Sequence, residues 1–275
     1  MDSFYRPTWA EISLDAIAHN FGVFRNLLPK SMNIMAVVKA NAYGHGAIQV
    51  AQKVLNCGAD YLGVAFLDEA LELRHAGIRS PILVLGFTSL EGLSLAIDHD
   101  VTLTVYDHEI LDEISRITEV RRRKANESGI QLQPVKIHVK IDSGMGRIGL
   151  HEEQAAIVFI EKALQMEGVQ VEGIFTHYAR ADEVESEYTL EQYRKFERII
   201  RHFQTKNISF PYVHAGNSAT GVHYPELSYN MLRLGISLYG LYPDEKVDRS
   251  QVQLIPAMSY KTKVVMVKSL PPGSG

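Results

Sequence analysis

The chain has 275 residues, of which 46% are hydrophobic, 22% charged and 9% aromatic. This composition is typical of a water-soluble globular protein and excludes a largely disordered chain. There are 28 lysine and arginine residues and 32 aspartate and glutamate residues, which gives a formal net charge of -4. That balance provides no general attraction to nucleic acid or to an anionic membrane, so we expect a small-molecule partner.

The cysteine count and the apolar runs restrict the compartment. Cys57 is the only cysteine, which excludes an intrachain disulfide and a cysteine-cluster metal site, and a reducing cytoplasm is the simplest location. The longest unbroken apolar run, at residues 155–160, is far shorter than the roughly 18 residues that a membrane span needs. The N-terminal residues have no apolar core typical of a secretory signal. We therefore expect a cytoplasmic protein without a membrane segment or a metal.

Eight short runs rich in β-branched and aliphatic residues are predicted to be strands. They read as continuous apolar segments, which is typical of parallel strands covered on both faces. In chain order they are IMAVV at 34–38, YLGVAF from Tyr61, ILVLGF from Ile82, LTVY from Leu103, VKIHVKI from Val135, VEGIF from Val171, YVHAG from Tyr212 and LGISLYG from Leu234.

Helical patterns lie between these runs. One has Ile17, Phe21 and Phe24 on a single face, another follows a predicted cap at Asp107, and two more cover residues 155–164 and 190–203. Alternation of strand and helix predicts an α/β protein with a parallel sheet. Eight such units in about 230 residues favour a closed (β/α)8 TIM barrel.

Two segments fall outside the alternation. The opening TWAEISL reads as a strand, and in the closing SYKTKVVMVKSLPPGSG the residues Thr262, Val264 and Met266 alternate like a half-buried strand. A lone strand is not a stable unit. We therefore predict an N-terminal strand at residues 1–13 that belongs with a β domain, a barrel at 14–243, and the beginning of an incomplete β-rich C-terminal domain at 244–275.

Polar residues that directly follow the predicted strands are the candidates for chemistry, because barrel enzymes react at the C-terminal ends of their strands. Lys39 follows IMAVV, where its amine can form a Schiff base with a carbonyl group or simply reach water. His177 and His214 close two later runs. They can serve in acid–base chemistry or in ring stacking, whereas two histidines without a carboxylate are weak evidence for a metal.

Two further segments have a composition suited to binding an anion. The sequence AGNS at 215–218 follows the seventh run, and RLGI at 233–236 opens the eighth. Barrels often bind phosphate after strands 7 and 8, using backbone N–H groups and small residues. An ordinary cap with glycine turns is the alternative.

The fifth run leads into a glycine-rich segment. Gly144, Gly146 and Gly149 have the G-x-G-x-x-G spacing of dinucleotide-binding turns. However, the match lies in the fifth unit and the helical pattern begins only after the third glycine. We therefore favour a loop that presents Arg147 to a carboxylate or phenolate oxygen over a nicotinamide site.

The segment AVVKANAYGHG at 36–46 resembles the pyridoxal-phosphate attachment signature of the alanine racemases. RPTWAEISLDAI, KIDSGMGRIG, GIFTHYARADE, HAGNSAT and NMLRLGISLYG also resemble that family, in the same order along the whole chain. The resemblance implies a fold-type III enzyme that interconverts L- and D-alanine for peptidoglycan. It also implies a homodimer in which the partner's β-rich C-terminal domain completes each active site.

The resemblance further implies a role for each matching residue. Lys39 would hold the cofactor as a Schiff base and act as one of two catalytic bases, and Arg147 would bind the phenolic oxygen and the substrate carboxylate. Arg233 would donate to the pyridine nitrogen, which weakens the electron sink because a guanidinium does not give up its proton. The remaining implied roles are phosphate binding by Tyr43, Ser218, Gly235 and Ile236, support beside the ring by His177, and carbamylation, known in some members, at Lys140.

The second base in this family is a tyrosine that follows the KTKVV…LPPG segment, and the sequence ends at Gly275 before it. We therefore expect the chain by itself to bind the cofactor without efficient racemisation, because loss of one general base costs about 10²- to 10⁴-fold. A non-catalytic pyridoxal-phosphate-binding barrel protein and a racemase for another small amino acid such as serine are the alternatives.

Overall fold

A computed structural model describes residues 5–129, 132–183 and 186–274. Within these ranges the strands are β1 (Thr8–Ile12), β2 (Asn33–Val37), β3 (Tyr61–Val64), β4 (Ile82–Val84), β5 (Thr102–Val105), β6 (Val135–Lys140), β7 (Val169–Phe175), β8 (Tyr212–His214), β9 (Met231–Leu234) and β10 (Met258–Thr262). The helices are α1 (Leu14–Leu27), α2 (Lys39–Gly44), α3 (Ala47–Asn56), α4 (Leu67–His75), α5 (Leu90–Asp98), α6 (His108–Ser128), α7 (Glu153–Leu164), α8 (Glu187–Thr205) and α9 (Ser218–His223), with 3₁₀ turns at Pro225–Ser228 and Ile236–Tyr239.

Strands β2 to β9 form one parallel sheet in the order β8-β7-β6-β5-β4-β3-β2-β9. The two ends of this sheet meet through single backbone hydrogen bonds, from Asn230 N to Val213 O and from Arg233 N to Gly216 O, both 3.2 Å long. The predicted (β/α)8 barrel is therefore confirmed. Its last seam is closed by isolated bonds rather than by a regular ladder.

The apolar patterns of the helices pack against the outside of the barrel. Ile17, Phe21 and Phe24 of α1 are fully buried there, and burial of each such side chain contributes roughly 1.5–3 kcal/mol. The predicted cap of α6 is confirmed, because Asp107 accepts hydrogen bonds from the N–H groups of Glu109 and Ile110. A second, smaller apolar cluster fills the inside of the barrel and consists of Met35, Tyr61, Leu83 and Met231.

The eighth barrel strand lies a few residues earlier in the chain than the sequence predicts. Strand β9 covers MLRL, whereas most of LGISLYG forms the 3₁₀ turn Ile236–Tyr239. The hydroxyl of Ser218 accepts hydrogen bonds from Gly235 N at 3.0 Å and Ser237 N at 3.3 Å. Because these amides bond to a side chain, they do not continue the ladder.

The strand predicted from the alternation at residues 262–266 was also misplaced. The strand is β10, which pairs antiparallel with β1 over five residues, from Thr8 opposite Thr262 to Ile12 opposite Met258. Val264 and Met266 lie beyond this strand and are 77% and 71% exposed. The short length of β1 limits the ladder, since an unpaired strand is not stable. The domain boundaries that we placed at residues 13 and 243 remain predictions.

In the described part of the chain, none of the helices is long and apolar enough to cross a bilayer.

One buried amide ties the first helix to the C-terminal part of the chain. Asn20 of α1 is fully buried, and its side-chain NH₂ donates to Leu238 O at 3.1 Å and to Ile255 O at 2.8 Å. Its side-chain oxygen accepts from Ile255 N at 2.8 Å. These three bonds hold the segment before β10 against the barrel.

We expect Asn20→Ala to lower the free energy of unfolding by about 2–3 kcal/mol, because it leaves buried backbone groups without partners. Asn26→Ala, at an exposed position of the same helix, is the matched control and should change it by less than about 0.5 kcal/mol. Urea unfolding followed by circular dichroism measures both. Equal stabilities of the two variants would contradict this account of Asn20.

Candidate active site

A cavity of about 350 Å³ opens at the C-terminal ends of the barrel strands. This is the end at which barrel enzymes carry their reactive groups. The nine residues to which the family resemblance assigns a role all line the cavity, namely Lys39, Tyr43, Lys140, Arg147, His177, Ser218, Arg233, Gly235 and Ile236. His214, the other strand-end candidate, is not part of the lining. The fold thus brings the predicted set together, and the chemical role of each residue remains a prediction.

Lys39 is the first residue of α2, a single turn of unusual backbone conformation. The four residues after it, Ala40 to Tyr43, all have φ between 51° and 53°, which is the left-handed helical region. This conformation costs roughly 1–2 kcal/mol for each residue other than glycine, so surrounding contacts must hold it. Two side chains accept hydrogen bonds from backbone N–H groups at the start of this turn and just after it. Ala47 N donates to the side-chain oxygen of Asn41 at 2.8 Å, and Ala40 N donates to Glu69 at 2.6 Å.

Glu69 is a residue that the sequence reading missed. Its carboxylate accepts from Ala40 N with one oxygen, and with the other it accepts from Ala65 N at 2.6 Å and Phe66 N at 3.2 Å. It therefore joins the turn after β2 to the start of α4. The available signal was the acidic pair in LDEALELRH, between the second and third predicted strands, because acidic residues in the first turn of a helix bind free N–H groups.

The amine of Lys39 lies in a positively charged environment. Its pKa is lowered by partial burial and by the neighbouring Arg147, while Glu69 opposes the shift. Among the described residues, the lining includes four basic side chains, those of Lys39, Lys140, Arg147 and Arg233, and one carboxylate, that of Asp182. Such a site favours an anionic ligand and increases the fraction of Lys39 that is a neutral, nucleophilic amine.

Arg233 lies at the bottom of this cavity and is buried. Its guanidinium donates through Nη1 to His214 Nδ1 at 2.8 Å, and through Nη2 to the carbonyl oxygens of Thr176 at 2.9 Å and Ala215 at 2.8 Å. Nη2 also lies 3.1 Å from His177 Nδ1. In the described ranges Nε has no acceptor, so one N–H of a cavity-lining guanidinium is left for a ligand.

Both histidines predicted from the strand ends contact Arg233, but they occupy different places. His177 lines the cavity, whereas His214 is fully buried beneath it. Burial and the charge of Arg233 hold the pKa of each imidazole well below its ordinary value. Because Arg233 can only donate, His177 accepts at Nδ1 and carries its proton on Nε2.

Lys140 ends β6 inside the site and is 3% exposed. Its amine lies 4.6 Å from the centre of the Phe175 ring. Burial, followed by the charges of Arg233 and Arg147, lowers its pKa well below the ordinary value. The surroundings of Lys140 therefore disfavour its ammonium form.

The glycine-rich segment after β6 is a loop that folds back on the strand. Gly144 N and Gly146 N both donate to the Asp142 carboxylate at 3.0 Å, and Leu150 N donates to Lys140 O at 2.9 Å. Helix α7 starts only at Glu153, so the loop does not run directly into a helix as a dinucleotide-binding turn does. The loop instead places Arg147 on the cavity wall.

The predicted anion site lies where Tyr43, Ser218 and Gly235 approach each other. A Cβ atom built on Gly235 would lie 3.6 Å from the Tyr43 hydroxyl and 3.9 Å from the Ser218 hydroxyl. The missing side chain therefore leaves a small space beside two hydroxyl groups, which can bind the oxygens of a phosphate group. In contrast, the described residues contain no cluster of three or more side chains arranged to hold a metal ion.

The architecture and the site together define a class of proteins, the (β/α)8 barrels that carry a lysine at a strand end inside a cationic cavity. The profile of the family "Alanine racemase, N-terminal domain" matches residues 12–243. The chain belongs to the alanine racemase family.

Individual relatives agree with this assignment. Alanine racemase 1 of Oceanobacillus iheyensis is 45% identical over 269 residues, which cover 98% of this chain and 68% of that protein. The structure of alanine racemase from Clostridium difficile 630 in complex with cycloserine has a TM-score of 0.90 at 38% identity, covering 97% of this chain and 71% of the other. Alanine racemase from Bacillus anthracis with bound L-Ala-P has a TM-score of 0.87 at 38% identity, covering 99% of this chain and 68% of the other. The chain thus spans about two thirds of the length of these relatives.

We expect Glu69→Ala to lower the free energy of unfolding by about 2–3 kcal/mol, because the N–H groups at the start of the left-handed turn and of α4 lose a charged acceptor. Glu72→Ala, at an exposed position of the same helix, is the matched control. Urea unfolding provides the comparison. A Glu69→Ala variant as stable as Glu72→Ala would show that this carboxylate does not hold the turn.

Proposed function

We propose that this chain binds pyridoxal phosphate and acts in the interconversion of L- and D-alanine, with Lys39 as the attachment point and as a base. The observation that carries the proposal is Lys39, a half-buried amine of lowered pKa at the end of β2, in a cavity that suits a phosphorylated ligand. Pyridoxal phosphate, when bound, supplies an aldehyde that condenses with amines and a conjugated ring that delocalises negative charge.

The cavity residues fit the two ends of such a cofactor. Tyr43, Ser218, Gly235 and Ile236 surround the space that suits the phosphate group. At the opposite end, the free N–H of Arg233 Nε is available for a ring nitrogen. Because the guanidinium keeps its proton, Arg233 would bind that nitrogen without protonating it.

The remaining residues would orient the substrate and move its proton. Arg147 is suited to a carboxylate or phenolate oxygen because its planar fork can donate two parallel hydrogen bonds. His177 would present its Nε2–H beside the ring. Lys39 Nζ would take the α-proton on one face. In the two-base mechanism that the resemblance implies, the second base is a tyrosine contributed by a C-terminal domain of the partner subunit in a homodimer.

The physiological setting of this proposal is the one that the resemblance implies. A cytoplasmic enzyme would supply D-alanine for peptidoglycan. Serine is the alternative substrate, since a small pocket discriminates weakly between side chains that differ by one hydroxyl.

The test is the exchange of the α-proton of alanine in D₂O by the chain loaded with pyridoxal phosphate, followed by proton NMR, with D-alanine formation measured in parallel. We expect exchange that falls by about 10²- to 10⁴-fold in Lys39→Ala, because the base is lost. Lys263→Ala, at an exposed position, is the matched control and should keep the exchange rate of the unmodified chain.

Two outcomes would contradict the proposed function. Cofactor bound at Lys39 without any exchange of alanine would indicate a pyridoxal-phosphate-binding protein without catalysis. Exchange that is faster for serine than for alanine would indicate a racemase of different specificity.

We also propose that Lys140 is carbamylated. Its lowered pKa increases the fraction of neutral amine, which is the form that combines with carbon dioxide and releases a proton. The product would place a negative charge beside Arg147 and Arg233, the two groups whose charges disfavour the ammonium form. A carbamate thereby relieves a repulsion between buried cations.

In the presence of ¹³C-bicarbonate we expect a carbamate signal in the ¹³C NMR spectrum that is absent from Lys140→Met. Lys136→Met is the matched control, because Lys136 lies on the same strand β6 but is 32% exposed. This control should retain the signal. A spectrum of the unmodified chain that shows only free bicarbonate would refute carbamylation.

A further inference from the structure

A line of hydrogen-bonded polar side chains runs along the inside of the barrel, away from the cavity. It starts at Arg233, whose strand β9 borders the site, and reaches the N-terminal ends of the strands, where Tyr61 and Thr102 are the first residues of β3 and β5. The links are Arg233 Nη1 to His214 Nδ1 at 2.8 Å, His214 Nε2 to His138 Nδ1 at 2.9 Å, His138 Nε2 to Glu172 Oε2 at 3.3 Å, Tyr61 Oη to Glu172 Oε2 at 2.8 Å and Tyr61 Oη to Thr102 Oγ1 at 2.6 Å.

The barrel makes room for this line at a particular glycine. His138 is fully buried on β6, and Gly173 lies opposite it on β7. A Cβ atom on Gly173 would lie 2.6 Å from His138 Nδ1, which is closer than such atoms can approach. The imidazole can therefore occupy the interior only because residue 173 has no side chain.

The donor and acceptor groups of these side chains allow only one direction of hydrogen bonding along the line. Arg233 has no acceptor, so His214 must accept at Nδ1 and, when neutral, carries its proton on Nε2. His138 must then accept at Nδ1, and its own proton lies on Nε2, where it is donated to Glu172. Tyr61 also donates to Glu172, and its oxygen accepts from Thr102. Each link of the line then joins one donor to one acceptor.

The same argument fixes the charges of His138 and Glu172. If His138 became an imidazolium, its Nδ1–H would face the Nε2–H of His214, so a proton cannot be added without breaking the line. Burial also lowers the pKa of His138, and this outweighs the opposite effect of Glu172. Burial raises the pKa of Glu172, but the hydrogen bonds from His138 and Tyr61 reverse that shift and keep its pKa below the ordinary value. Glu172 is thus an anion beside a neutral histidine.

The buried positive charge of Arg233 is stabilised by a counter-charge such as that of Glu172. Its hydrogen-bond acceptors in the described part of the chain are carbonyl oxygens and imidazole nitrogens, and none is a carboxylate. A buried cation without a counter-charge is costly. Hydrogen bonds arranged in series polarise one another, so the charge of Glu172 acts on Arg233 through the two rings.

We propose that His138 and Glu172 are positioning residues for Arg233. The line fixes both buried imidazoles as their Nε2–H tautomers, orients the guanidinium toward the cavity, and supplies its counter-charge from the opposite end of the barrel. The purpose of this positioning rests on the proposed function, in which Arg233 binds the cofactor ring. The tautomers themselves are a property of the chain without cofactor.

The first test is NMR of the ¹⁵N-labelled chain without cofactor, using long-range correlations between ring protons and ring nitrogens to assign the tautomers. We expect His138 and His214 both to be neutral and protonated at Nε2 at neutral pH. An imidazolium at His138, or an Nδ1–H tautomer at either residue, would overturn the proposal. Failure of the racemase assay would leave this result unchanged, so the two hypotheses fail separately.

The second test changes the far end of the line. Glu172→Gln keeps an acceptor oxygen but removes the charge, and we expect it to shift the side-chain nitrogen signals of His138, His214 and the Nε–H of Arg233. Glu161→Gln is the matched control, because Glu161 also contacts a histidine, His202, at 3.4 Å but at the surface. This control should leave those three signals in place.

Tyr61→Phe provides a milder change that keeps the carboxylate charge and therefore serves if Glu172→Gln does not fold. Loss of the Tyr61 hydroxyl should produce smaller shifts in the same three residues, in decreasing order from His138 to Arg233. Shifts confined to His138, in either variant, would show that Glu172 does not act on Arg233.

Discussion

The burial of one permanent cation organises the active end of this barrel. Arg233 cannot lose its proton, so every N–H that it directs into the protein needs an acceptor. The carbonyl oxygens of Thr176 and Ala215, which directly follow strands β7 and β8, accept from Nη2 together with His177, and His214 accepts from Nη1. The strand ends around the cavity are therefore held by the same group that offers its Nε–H to a ligand.

The charge of the site follows from the same arrangement. Arg147, Lys140 and Arg233 lie around a cavity in which Asp182 is the one carboxylate among the described lining residues. The charge of Arg147 adds to burial in lowering the pKa of Lys39, and the charges of Arg233 and Arg147 do the same for Lys140. A phosphorylated cofactor and a substrate carboxylate would relieve this repulsion. The cavity thus prepares Lys39 to react as an amine and at the same time favours the anionic ligand with which it would react.

Much of this arrangement could be predicted from the sequence, because it depends on local patterns. Continuous apolar runs identified the strands, and the residue after the first barrel strand identified Lys39. The errors arose where a side chain took over backbone hydrogen bonds, as Ser218 does at Gly235 and Ser237. An apolar run gives no sign of such a contact.

Other features depend on contacts between distant segments. The left-handed turn after Lys39 has no glycine in its first four residues, so nothing in their composition indicates it, and Glu69 stabilises it from another unit of the barrel. His138 and Glu172 are polar residues within strands, where nothing in the local sequence distinguishes them from other polar strand positions. The contacts of His138 with Glu172 and with His214 depend on the register of β6, β7 and β8, which the sequence does not specify residue by residue.

The central claim is that Lys39 is the residue that holds the cofactor. The most direct measurement is to incubate the chain with pyridoxal phosphate, reduce the adduct with borohydride and locate the modified lysine by peptide mass spectrometry. The account predicts modification at Lys39. Lys140, whose pKa is also lowered but whose side chain is deeply buried, should remain unmodified. Modification at Lys140 or at surface lysines, with Lys39 left free, would contradict it.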